Sequence, residues 1–286
     1  NVLTRSSYSY NPLQEMTGAR DHSGNSYLFT YDLAGNRRTI MSPDAGLVEF
    51  FYDTAGNLVQ KTDANLRSKG QAVTYQYDGF NRMVLTNYPW MDDVRYEYGG
   101  PGAAYNSAGR LVSLEDESGT AVYRYGEMGE MTRLERTLNR LTPVSNPKTA
   151  TFEYQSDYLG RMERIVYPDG EVVEYSYDSG GRIKGVTGIH KTLVTGYVEE
   201  IGYNEQGQRT YIKLGNGTET TYTYDENRRW LDSIRTVNSL NRVYQDIIYN
   251  FNSVGHIDSY SNATDYYGTT QEYTYDDLYQ LTSVSG

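Results

Sequence analysis

The chain has 286 residues, a net charge of −11, 31 tyrosines and no cysteine. Its basic residues are scattered singly after turns, which argues against the phosphate-neutralising stripe of a nucleic-acid-binding protein. No disulfide can form, no apolar run approaches the roughly 20 residues of a membrane span, and no signal peptide opens the chain.

Read in chain order, one signal returns twelve times. It begins at Tyr8 and Tyr10, two aromatics two residues apart, followed by the turn residue Asn11. It returns at Phe29, Tyr31 and Asp32, at Phe50, Tyr52 and Asp53, and at Tyr75, Tyr77 and Asp78. Gly35, Gly56 and Asn81 stand three residues after these turn residues, where a left-handed backbone is tolerated. Residues 63–104 are looser. Asp63 to Gly70 reads as a polar loop, Tyr88 to Asp93 interrupts the pattern, and Gly99 to Gly102 forces an irregular connection before a fifth copy at Tyr105 and Asn106. A sixth copy ends on Gly126, and Asn139 to Lys148, with two prolines, reads as an exposed loop at the sheet margin. The seventh has Ser156 before Asp157. The eighth is the most regular: Tyr175-Ser176-Tyr177-Asp178-Ser179-Gly180-Gly181-Arg182-Ile183. Copies at Tyr203 and Asn204, Tyr224 and Asp225, Phe251 and Asn252, and Tyr275 and Asp276 complete the series, with Ser261 to Thr270 as a polar loop.

Each copy reads as a β-hairpin. Tyr175 and Tyr177 share one face of a strand, and Ser176 and Asp178 share the other. Asp at the first turn position bonds back to the backbone, and Gly at the fourth tolerates positive φ. Apolar residues follow five and eight positions after the turn residue, as Ile183 and Val186 do after Asp178. That offset of three breaks strict alternation, so a bulge or a change of packing side is expected. An isolated hairpin is marginal in water, so stacked aromatic rows must hold the fold. Length alone suggests two domains. The uninterrupted repeat predicts instead a single repeat domain over residues 1–286, and its truncated first and last copies suggest a piece of a longer protein.

The pattern YxYDxxGRL around Tyr175, Tyr177, Asp178 and Gly181 resembles the YD repeat of Rhs-type proteins. So do Tyr31, Asp32 and Gly35, and Tyr52, Asp53 and Gly56; the pairs Tyr77 and Asp78, Tyr224 and Asp225, and Tyr275 and Asp276 repeat its core. The resemblance implies an all-β fold of antiparallel hairpins in a spiralling sheet, part of a hollow shell or barrel-like cocoon. That family includes bacterial polymorphic toxins, subunits of insecticidal toxin complexes, wall-associated proteins and teneurins. It implies a secreted or cell-surface bacterial protein. The partners it implies are the rest of the same polypeptide, namely further repeats and a C-terminal toxin cargo, together with a secretion or delivery apparatus. The wall-associated branch would add cell-surface glycans. The family's self-cleaving core carries an Asp-Pro motif, and no Asp-Pro pair occurs here, so autoproteolysis is not carried over.

The residues themselves offer no catalytic constellation, cofactor site or metal site. The turn aspartates read as turn-closers rather than calcium ligands, because Asn or Gly replaces Asp at five copies and no dense oxygen spacing occurs. His22, His190 and His256 are isolated. Asp92 and Asp93, Glu115 to Glu117, and Glu199 and Glu200 read as solvated charge, since strand neighbours point to opposite faces. Tyrosine rows could also stack on sugars. The leading reading is therefore a non-enzymatic shell segment that encloses a toxin. An adhesive or carbohydrate-binding array is the alternative, and a hydrolase using wall carboxylates is a third.

Overall fold

The computed structural model describes residues 5–139, 146–264 and 268–286. Its described residues are all-β, with 24 strands and one short helix, and the two strands of each hairpin pair antiparallel. The chain divides into two compact units, residues 1–151 and 152–286, and the division falls inside the strand Lys148–Ser156.

In the first unit six hairpins follow one another. They are Ser7–Tyr10 with Met16–Arg20, Ser26–Tyr31 with Arg37–Ser42, and Gly46–Tyr52 with Leu58–Thr62. Val73–Tyr77 with Met83–Asn87, Val94–Tyr98 with Leu111–Asp116, and Gly119–Tyr125 with Met131–Leu138 complete it. In the second unit the hairpins are Lys148–Ser156 with Met162–Val166, Val172–Tyr177 with Ile183–His190, and Leu193–Tyr203 with Arg209–Leu214. Glu219–Tyr224 with Leu231–Val237, Val243–Phe251 with Ile257–Asn262, and Thr269–Tyr275 with Leu281–Ser285 close the series.

The expected break in alternation is a β-bulge, and it recurs in all twelve hairpins. In the eighth, Tyr177 pairs with Ile183 and Ser176 with Gly185, so Lys184 is the extra residue. Tyr175 then pairs with Val186, which puts the offset of three on one face. The same register pairs Phe29 with Ile40, Tyr123 with Leu134, Tyr154 with Ile165 and Tyr249 with Tyr260. The opposite face pairs small polar side chains: Thr30 Oγ1 lies 2.7 Å from Thr39 Oγ1, and Thr223 Oγ1 2.7 Å from Ser233 Oγ.

Burial is thin. Among the described residues Val48, Leu66, Val73, Ala121 and Val173 are the buried hydrophobic ones, and no large side chain is fully buried. The aromatic face is half-buried and the polar face exposed, as the alternation over Val172–Tyr177 illustrates. Each hairpin is therefore stabilised mainly by cross-strand pairs and by its neighbours, not by a second layer.

Three sequence expectations need correction. Asp63 to Gly70 is not a featureless loop: Ala64–Ser68 form one helical turn, capped by the Asp63 carboxylate on the Leu66 N–H. The fifth copy is displaced. Its strand aromatics are Tyr96 and Tyr98, paired with Leu114 and Leu111, while Tyr105 and Asn106 lie in an insertion with φ of 55° and 52°. In the copy at Asp225 the residue paired with Tyr224 is Leu231, six positions after the turn residue instead of five, because that turn is one residue longer. The expected loops Asn139 to Lys148 and Ser261 to Thr270 fall in part outside the described residues. Within their described parts, Lys148 begins a strand, Asn262 ends one and Thr269 begins the next.

Candidate functional site: the junctions between hairpins

The site that recurs is built from three positions: the turn residue (position 0), the aromatic before it (−1) and the polar residue four after it (+4). At Asp32 the backbone N–H bonds to the Asn36 carbonyl and the Gly35 N–H returns to the Asp32 carbonyl. One carboxylate oxygen accepts from the Ala34 and Asn36 N–H groups, both at 2.9 Å. The other accepts from the Asn36 side chain at 3.1 Å. Asp53, Asp78, Asp157 and Asp178 repeat this network, with Asn57, Arg82, Arg161 and Arg182 as side-chain partners. Asp225 bonds the Asn227 and Arg228 N–H groups in its longer turn, and Asp276 bonds those of Leu278 and Gln280. Gly35, Gly56 and Gly181 have φ of 84°, 86° and 79°, which is why glycine stands there.

The partner at +4 changes with the turn residue. Where Asn11 replaces Asp, Glu15 accepts from its amide at 2.5 Å; where Asn204 does, Gln208 Oε1 accepts at 3.0 Å. At Gly126 the side chain is missing altogether, and the Glu130 carboxylate occupies the space that a Cβ would take. Sequence reading weighed position 0 alone and missed this complementarity. The same scaffold also closes two return turns, at Asp21 with Asn25 and at Asn238 with Arg242.

The carboxylates are held in the charged form. Asp32 and Asp53 lie below the usual carboxylate value mainly through the Asn36 and Asn57 side-chain amides. Asp78 does so mainly through the Arg82 guanidinium. Asp178 is lowered first by the Arg182 backbone N–H and then by its guanidinium. Burial opposes the shift at Asp157, and the bonds from Arg161 and Leu159 overcome it.

Positions −1 and +4 join one hairpin to the next. The Tyr177 hydroxyl donates to the Met162 carbonyl of the preceding hairpin at 2.6 Å. Met162 is the residue paired with Ser156, beside the bulge. The same stitch runs from Tyr31 to Met16, Tyr77 to Leu58, Tyr125 to Leu111, Tyr203 to Ile183, Tyr224 to Arg209 and Tyr275 to Ile257, at 2.7–2.9 Å. Over the Tyr177 and Tyr203 rings, and over Tyr98 of the displaced copy, lie arginines of the preceding hairpin. Arg161 is 4.6 Å from the Tyr177 centroid, Arg182 4.7 Å from Tyr203 and Arg82 4.3 Å from Tyr98. An arginine at +4 thus neutralises its own turn and clamps the next ring. Tyr52 pairs with Leu58 and Tyr175 with Val186 on the same face; burial raises the Tyr175 hydroxyl above the usual phenol value.

These junctions bind structure to structure. Among the described residues no group of three or more His, Asp or Glu is placed to hold a metal. Asp92, Asp93, Glu115 and Asp116, which sequence reading kept apart as solvated charge, line one cavity. Asp92 and Asp93 sit in a turn, where strand alternation does not apply.

Residues 52–89 match the family model of the RHS repeat. That stretch is an RHS repeat. The whole chain is 30% identical to toxin subunit YenC1 of Yersinia entomophaga over 292 residues, covering 85% of this chain and 29% of that protein. It is 26% identical to double-stranded DNA deaminase toxin A of Burkholderia cenocepacia, covering 78% of this chain and 15% of the toxin. It thus spans less than a third of either relative. The crystal structure of TcdB2-TccC3-Cdc42 superposes with a TM-score of 0.85 at 21% identity, over 98% of this chain and 15% of that one. At that identity the likeness establishes the fold. The stitched hairpins account for how the sheet is held together, and among the described residues no helix is long and apolar enough to cross a membrane.

Proposed function

We propose that this chain is a wall segment of a hollow shell that encloses a toxin polypeptide, and that it performs no catalysis itself. One observation carries the reading: the functional groups of the repeat are spent on one another. Seven tyrosine hydroxyls at position −1 are bonded to the preceding hairpin, and the turn carboxylates are bonded to their own +4 side chains. This arrangement extends a sheet by adding hairpins, and the arginines over Tyr177 and Tyr203 occupy ring faces that a stacked sugar would use, which weighs against the adhesive alternative. The toxin relatives support the cargo assignment. In this reading residues 1–286 act as one repeat domain of a secreted or cell-surface protein. Its partners are the remaining repeats and the cargo of its own polypeptide, and a delivery apparatus.

The test uses the gene product from its native source, by intact mass and protease protection. A C-terminal polypeptide retained in the particle, and digested only after the hairpins are unfolded, supports the shell. A C-terminal region that is digested freely from the folded particle overturns it, and tyrosine-dependent binding to a glycan panel would favour adhesion instead.

A further inference from the structure

Two cavities open side by side at the ends of adjacent hairpins in the first unit. The turn from Tyr88 to Asp93 and the turn that follows Asp116 are neighbours because Val94–Tyr98 pairs with Leu111–Asp116, with Arg95 opposite Glu115. The first cavity, about 430 Å³, is lined by polar groups, among them Asp92, Asp93, Glu115 and Asp116. The second, about 520 Å³, rests on Tyr88, Met91 and Val94. Tyr88, Met91 and Asp116 wall both. Each is of a size that holds a small ligand or a few side chains. Beside them stands Trp90, 60% exposed, with its ring 5.6 Å from that of Tyr88.

The charge of the apolar groove's neighbour selects its occupant. Asp93 is compensated by Arg95 at 3.0 Å and also accepts from Asn87 at 2.6 Å. Asp116 is compensated by Arg136 at 2.8 Å. Asp92 and Glu115 enter no ion pair among the described residues, so two negative charges stand open at the polar cavity. A cation neutralises them, an anion is repelled, and a neutral sugar leaves them as they are. Because the polar and apolar cavities share walls, the ligand must carry its cationic group close to an apolar one. An extended peptide does this: residues two apart project from one face about 7 Å from each other. Arginine suits the polar cavity best, since its planar fork meets carboxylates and its face stacks on aromatic rings.

We propose that this rim docks an extended polypeptide segment in which an arginine lies two residues from an apolar side chain. The proposal is independent of the shell assignment.

Trp90 reports on the groove directly. The chain has two tryptophans, so in a Trp230→Phe background, with excitation beyond the tyrosine absorption band, Trp90 is the sole emitter. The probe is the blocked peptide Ser-Leu-Ser-Arg-Ser-Leu-Ser. The expected result is a saturable change in Trp90 emission, weakened about tenfold by Asp92→Asn with Glu115→Gln at unchanged melting temperature. Four controls run in parallel: the same peptide with Glu in place of Arg, an all-arginine heptapeptide, spermine and maltohexaose. No response to the probe, or affinity for it kept in the double variant, overturns the proposal. So does an equal response to the Glu peptide. Equal affinity for the arginine heptapeptide or spermine reduces the site to charge alone and overturns it as well, and binding of maltohexaose without the probe replaces it with a sugar site.

Discussion

Tyr177 is the place to measure what joins one hairpin to the next. Tyr177→Phe removes one hydroxyl, which donates to the Met162 carbonyl at 2.6 Å, and leaves the ring under Arg161. A net hydrogen bond of this kind contributes about 1 kcal/mol. Tyr177→Ala removes the ring too. Full burial of an aromatic side chain would cost roughly 3–5 kcal/mol on truncation. Tyr177 is half-buried, so about 2 kcal/mol is expected for the ring. The lost stacking of Arg161 adds about 0.5–1 kcal/mol, for a total near 3–4 kcal/mol with the hydrogen bond. Ser176→Ala, on the exposed face with a 3.3 Å bond to the Gly185 carbonyl, should change stability by less than about 0.5 kcal/mol. Repeat proteins open locally, so the assay is native-state amide exchange over Met162–Val166 and Val172–Tyr177, read beside the urea midpoint. Tyr177→Phe indistinguishable from wild type would mean that the stitch contributes nothing. Tyr177→Ala equal to Ser176→Ala would sink the two-face account altogether.

Three further outcomes follow from the same geometry. Gly181→Ala should cost about 1–2 kcal/mol by thermal melting, because φ is 79° and the added Cβ would press on Arg161 at 3.2 Å; a neutral result would show that the turn relaxes. The turn aspartates titrate below the value of roughly 3.9 expected in the unfolded chain. Their contribution is therefore complete above that pH and is lost as pH falls through the lower folded values. The urea midpoint should hold to about pH 4 and fall below it. Asp178→Asn should lessen the fall, and an equal fall in the variant would assign it to other groups. His256 occupies position +4 after Asn252 and lies 4.7 Å from the Tyr275 ring, where other hairpins place an arginine. His256→Arg should slow amide exchange in Thr269–Tyr275, and faster exchange there would refute the equivalence of the two clamps.

Much of the fold was legible because each hairpin writes its own turn. A glycine at positive φ and an Asp that bonds two and four residues ahead are local needs, so they leave a local mark. The offset between Ile183 and Val186 announced the bulge in the same way. What could not be read was held by backbone or by a neighbour. The insertion before Leu111 is closed by Gly99 N–H to the Arg110 carbonyl and Gly109 N–H to the Gly99 carbonyl, which no side chain records. Tyr105 and Asn106 inside it imitate the repeat, and the imitation misplaced the fifth copy. The helical turn Ala64–Ser68 is too short for a hydrophobic period. The arginine clamp was hidden because its ring lies 16 residues away, as from Arg161 to Tyr177, and the stitch because its acceptor is a carbonyl. The cavity beside Tyr88 was missed because alternation was applied to residues that form a turn.

The pairing of turn residue with the residue at +4 has a consequence for how such chains drift. Asp with Asn or Arg, Asn with Glu or Gln, and Gly with Glu all fill the same small volume with one acceptor and one donor set, or with a carboxylate in its place. Other combinations close the same turn too: Asn238 does so with Arg242 at +4, and Asn252 with His256. Copies can therefore diverge by exchange within the pair while the backbone stays unaltered. Two repeats with no residue in common at these positions can still be interchangeable parts, so a search keyed to aspartate alone will undercount them.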